Sequence, residues 1–139
     1  MSKVDDFLRK LGQAASDDER HWLVTQNLLD SLTEELAQMA WAAAVPHWFD
    51  AEILAALRPE LAENVEDLYA QLQSLPFVEP FEGRGHNVHE LTRGLMLAHL
   101  WAQGREEYES LSKLAADYFD DLSIRHLKPL MAQLEKLNE

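Results

Sequence analysis

His86, His89, Glu90 and Arg93 lie close together in a chain that otherwise offers little reactive chemistry. Imidazoles and a carboxylate suit zinc, and an imidazole or a guanidinium can donate to a phosphate oxygen. The spacing argues against a shared metal. His86 and His89 straddle the junction of a strand and a helix, so their separation does not place them on one helical face. His99 lies about 15 Å along the helix from His89, at about 1.5 Å per residue. His21, His47 and His126 have no partner nearby in sequence and read as structural or solvated groups. No nucleophile set stands out either. Cysteine is absent, the serines fall in caps or on polar faces, and neither a G-x-S-x-G elbow nor a G-x-x-x-x-G-K-[ST] phosphate loop occurs. Trp22, Trp41, Trp48 and Trp101 each sit beside apolar residues of a helical pattern and read as core or interface anchors. The residue types thus point to no catalytic set and no metal set.

The elements that must position these residues are mostly helical. Val4, Phe7, Leu8 and Leu11 share a face, with Gly12 as the stop. Ser16-Asp17-Asp18-Glu19 is a capping box opening a second helix with Trp22, Leu23 and Leu28. Ser31-Leu32-Thr33-Glu34 repeats that signal before Leu36, Met39, Ala40 and Ala43, and Pro46 ends the element. Asp50 caps a run with Ile53, Leu54 and Leu57. Asn64 caps Val65, Leu68 and Leu72, which Pro76 closes. Between Ser74 and Arg93 lies the one convincing strand-turn-strand signal. Two short apolar pieces flank Glu82-Gly83-Arg84-Gly85, where glycine supplies the positive φ of a tight turn. This predicts a hairpin over about Phe77 to Val88. Asn87-Val88-His89-Glu90 then caps a helix carrying Leu91, Leu95 and Ala98 to Gly104. Tyr108, Leu111, Ala115, Tyr118 and Leu122 form an apolar seam, and a last helix follows Pro129 with Leu130, Leu134 and Leu137. The fold class is mainly α: a winged-helix-like helical domain with one β-hairpin wing and flanking helices. Residues 1–28 read as an N-terminal helical extension, 29–104 as the winged-helix-like domain and 105–139 as a C-terminal helical extension packing on it.

Charge bears on partners. The formal net charge is −13 with only 12 Lys plus Arg in 139 residues, and nucleic-acid affinity rests largely on cations that neutralise phosphates. Residues 64–75, at the place of a winged helix's recognition helix, contain Glu66 and Asp67 and no Lys or Arg, so binding to duplex DNA is not expected. No apolar run reaches the roughly 20 residues of a membrane span. The Met-Ser-Lys-Val-Asp-Asp start lacks the regions of a signal peptide. A cytoplasmic setting without membrane contact is the expectation.

Residues from about Leu29 to Leu100 resemble the winged-helix module that follows the nucleotide-binding core in STAND-type signal-transduction ATPases. The resemblance rests on residues 48–57 (Trp48 to Leu57), on residues 72–80 with their Leu75-Pro76-Phe77-Val78-Glu79-Pro80 run, and on residues 88–93. In that family the wing's second strand ends in a Met-His-Asp-like tripeptide, matched here by Val88-His89-Glu90, with Val and Glu in place of Met and Asp. The family's histidine reaches the phosphates of ADP held by the core. The resemblance therefore implies that His89, with Arg93 as a companion one turn later, contacts a nucleotide held by a partner domain. It also implies a protein partner, a nucleotide-binding ATPase core that this chain does not itself contain, and a chain resembling an excised segment of a larger protein. The function expected is a non-catalytic regulatory or protein-interaction module with no cofactor of its own. Two other classes stand beside it: a winged-helix transcription regulator, and a small helical enzyme or metal protein.

Overall fold

The computed structural model describes residues 2–138, and among them the chain folds into seven α-helices and one antiparallel hairpin. The helices are α1 (Lys3–Gln13), α2 (Asp17–Ser31), α3 (Glu34–Ala43), α4 (Ala51–Leu57), α5 (Val65–Gln73), α6 (Glu90–Gln103) and α7 (Arg105–Leu137). The strands are β1 (Val78–Phe81) and β2 (Gly85–Val88), paired Val78 to Val88 and Phe81 to Gly85. A further backbone bond from His89 N to Phe77 O (2.7 Å) ties off the root of the hairpin, close to the expected limits. Phe49 adds a one-residue third strand: its amide donates to His86 O (2.8 Å) and its carbonyl accepts from His86 N (3.0 Å). Helix α3, the Phe49 bridge, α4, α5 and the hairpin follow in the order of a winged helix.

Local chemistry explains most boundaries. Ser16 Oγ accepts from Glu19 N (3.1 Å), while Glu19 Oε2 accepts from Ala15 N (2.8 Å), a capping box reaching one residue further back than the usual form. Asp50 Oδ1 accepts from Ile53 N (2.9 Å) and starts α4. Five expectations need correction. Helix α1 runs through Gly12 to Gln13. Ser31 does not cap α3: its hydroxyl donates to Leu28 O (2.6 Å), closing α2, and Thr33 Oγ1 accepts from Leu36 N instead. Asn64 makes no side-chain cap, because Pro59–Asn64 winds into a 3-10 turn that leads into α5, and the Val65 amide already bonds to Ala62 O. Asn87 lies within β2 and donates to Glu79 Oε1 (3.1 Å), leaving His89 at the start of α6 without a side-chain cap bond. Finally, Pro129 does not start a helix: it sits inside the continuous α7. A proline there deprives the Arg125 carbonyl of its amide partner, a loss reduced where the surrounding helix is exposed to water.

The core gathers Met39, Phe49, Ile53, Leu54, Leu72 and Met96, all fully buried, with Val88 from the hairpin and Leu111 from α7. The residue 28/29 boundary falls inside α2, whose Thr25 and Leu29 are buried. Helix α7 behaves differently along its length. Leu111 and Ala115 are buried, whereas every residue from Ser123 to Asn138 is exposed.

Candidate functional site

His89 ends the wing and begins α6. Its amide is held by Phe77 O and its carbonyl accepts from Arg93 N (2.8 Å), so the backbone is fixed on both sides while the side chain is exposed. The imidazole stands beside the first turn of a 14-residue helix, where unpaired amides and the helix dipole favour an anion. With His21, Leu28, Phe77 and Thr92 it lines a mostly apolar cavity of about 270 Å³ between α2 and the root of the wing.

The wall of that cavity gives His21 a structural place: its Nε2 lies 2.7 Å from the hydroxyl of Thr92, which is 1% exposed. The pair is separated by 71 positions, so no local pattern could reveal it. It joins α2 to α6, as does His99, whose ring lies 4.9 Å from Trp22 and 5.8 Å from Trp41. Trp101, in contrast, is 47% exposed and stacks under the Arg105 guanidinium.

Arg93 sits one turn from His89 but faces a different task. Its Nη2 donates to Val45 O (2.7 Å) and its Nε to Pro46 O (3.3 Å), tying α6 to the segment that leaves α3. Burial lowers its pKa from the ordinary arginine value, with Tyr108 and Glu90 acting in the opposite sense. Both donors are engaged within the module. Arg93→Ala is therefore expected to cost about 2 kcal/mol in urea unfolding, the range of hydrogen bonds from a charged donor. His89→Ala should stay within about 0.5 kcal/mol, as exposed substitutions usually do. A loss for Arg93→Ala that also stays within about 0.5 kcal/mol would show that its carbonyl bonds contribute nothing to the fold.

His86, in β2, is bonded to α5. Its Nδ1 lies 2.6 Å from the Tyr69 hydroxyl, and the Tyr69 ring meets Phe49 edge-on at 6.1 Å. Burial, then Asp50 and Glu66, raise the Tyr69 pKa, so the phenol stays protonated and able to donate to that nitrogen. Among the described residues no three His, Cys, Asp or Glu side chains gather as a metal site would require.

A second concavity escaped the sequence, because its walls come from segments far apart. An open groove of about 810 Å³ runs between the wing turn and α7, lined by Trp48, Glu52, Arg84, Tyr118 and Phe119. The Arg84 guanidinium lies 5.5 Å from the Trp48 ring centre, and Phe119 meets the same ring edge-on at 5.8 Å. The Tyr118 pKa is pushed up to about 12 by burial first and the neighbouring Glu52 second, so the phenol remains a donor at neutral pH. Ser123, His126 and Leu127 of α7 line it as well, and its aromatic rings, one guanidinium and carboxylates suit recognition of a partner. Comparison with family models, curated proteins and solved structures gives no match.

Proposed function

We propose that this chain is a non-catalytic regulatory or protein-interaction module that docks against a nucleotide-binding ATPase core in signal transduction, with His89 at the contact. The observation that carries the reading is the exposed imidazole at the root of the wing, on a fixed backbone and beside a helix start, where it can donate to a phosphate held by a neighbouring domain. Arg93 has the weaker claim, since its guanidinium is engaged with Val45 and Pro46. The charge of α5 supports a protein partner over DNA. Glu66 and Asp67 stand in its first turn, and Gln71 donates to Asp67 (2.8 Å), so a side chain suited to a base edge is engaged locally. Among the described residues no helix is long and apolar enough to cross a membrane, and the setting we propose is the cytoplasm.

The test is calorimetric titration of the chain into an ADP-loaded core of a STAND-type ATPase. The chain should bind, and His89→Ala should weaken binding at least about tenfold, worth about 1.4 kcal/mol, while melting as the parent does. Equal affinities would remove His89 from the contact. Failure of the parent to bind, together with tight binding to random duplex DNA that weakens steeply with salt, would transfer the chain to the transcription-regulator class.

A further inference from the structure

Helix α7 carries two apolar faces that do not line up. Over its first half, Tyr108, Leu111, Ala115, Tyr118, Phe119 and Leu122 are turned to the domain and are buried or half-buried. Beyond Ser123, Ile124, Leu127, Leu130, Met131, Leu134 and Leu137 are all more than half exposed, from 52% to 81%. At about 3.6 residues per turn, the centre of this second stripe is rotated by roughly 120° from the first. The tail's domain-side direction is instead taken by His126, Pro129 and Gln133. Leu127 also lines the groove under the wing, but the rest of the stripe cannot be covered by the same domain through a small bend of the helix. A contiguous apolar stripe on so acidic a chain marks a surface for association.

The order of residues identifies what covers it. Ile124, Leu127, Met131 and Leu134 are spaced 3, 4 and 3 apart, the repeat of a two-helix seam. Reversed onto itself, this seam matches: Ile124 lies opposite Leu134, and Leu127 opposite Met131, with the centre at residue 129. Pro129 itself falls on the far side of the helix, so its missing amide and ring stay out of the seam. The charges select the same direction. Asp121, Lys128 and Glu135 form one flank of the stripe, so in antiparallel order an acid-base-acid run lies beside its own reverse, and each Lys128 can reach Glu135 of the other copy. In parallel order that flank would meet Ser123, Leu130 and Leu137, leaving the charges without partners. Centred at residue 129, two exposed tails overlap over residues 123–135, which holds the whole Ile124–Leu134 seam.

We propose that a second copy of this chain covers the tail of α7, the two tails pairing antiparallel about a two-fold axis near Pro129. Such an interface is isologous, the same patch serving both copies. It is shorter than a standard interface of about 1,600 Å², so the dimer dissociates on dilution.

Sedimentation or light scattering of the full chain over a concentration series should show a species of twice the 15.9 kDa of one chain. Leu127→Glu with Met131→Glu should weaken that association at least tenfold and, compared at dilutions where the parent is also monomeric, leave the helical signal and the melting midpoint unchanged, because both side chains are exposed in the single chain. Orientation is read by disulfide trapping, since the chain has no cysteine of its own. A mixture of Ile124→Cys and Leu134→Cys chains should form the mixed disulfide preferentially, and neither variant should trap itself efficiently. A chain that stays monomeric at high concentration overturns the proposal. Efficient self-trapping by each cysteine variant overturns the antiparallel order, and a dimer unchanged by the double glutamate variant overturns the surface.

Discussion

Gly85→Ala is expected to destabilise the chain by about 2–4 kcal/mol, through strain and a clash that the neighbouring structure cannot relieve cheaply. Gly85 has φ of +100°, a region L-residues rarely enter, and a Cβ placed there would stand 2.5 Å from the Phe49 carbonyl oxygen and 3.2 Å from the Tyr69 hydroxyl. The carbonyl is no flexible side-chain tip. It accepts from His86 N in the one-residue bridge, so moving it away breaks the link between the wing and the α3–α4 connection. Gly83→Ala is the internal comparison. Its φ of +79° is also positive, yet nothing lies within 4 Å of a Cβ there, so only the backbone term of about 1–2 kcal/mol should appear. Urea melts of both variants separate the two effects. Equal losses would mean that the carbonyl yields easily and that the close approach is incidental.

Those two glycines also explain why the wing was legible in the sequence. A turn needing positive φ leaves its mark on residue type within a few positions, as do Ser16 and Asp50, whose capping bonds span three residues. Features fixed by choices between equivalent local partners were less legible. Ser31 and Thr33 are both competent caps, and the hydrogen bonds of the folded chain assign one to each helix end. Pro129 reads as a helix start because proline suits that place, but the chain continues through it. The candidate site was legible only where it is local. His89 sits at the wing root as its place after a strand implies, whereas the carbonyl partners of Arg93 lie 47 and 48 positions away and the Thr92 partner of His21 lies 71 away. The groove beneath the wing needs Trp48, Arg84 and Tyr118 together, a meeting decided by the Phe49–His86 bridge and by the packing of α7.

Phe49→Ala is expected to be the more damaging change, at about 3–5 kcal/mol, the range for emptying a buried aromatic site. The ring is fully buried and meets Tyr69 edge-on, while the backbone of the same residue makes both bonds of the bridge to His86. One residue thus connects three parts of the module: the α3–α4 connection through its chain, α5 through Tyr69, and the wing through His86. Removing the ring opens a cavity beside the Tyr69–His86 bond, so the loss extends to polar groups that the aromatic wall now screens from water. Phe49→Leu, which keeps most of the volume, should cost about 1.5 kcal/mol or less and retain the bridge. The two variants also bear on the wing's dependence on the helices. If the core ring holds the hairpin in place, amide exchange at His86 and Phe49 should quicken in Phe49→Ala well before the helical signal is lost. A loss below about 1 kcal/mol, with exchange unchanged, would mean that the wing is anchored by its own ladder and by the Phe77–His89 bond, and that Phe49 fills space without connecting the three parts.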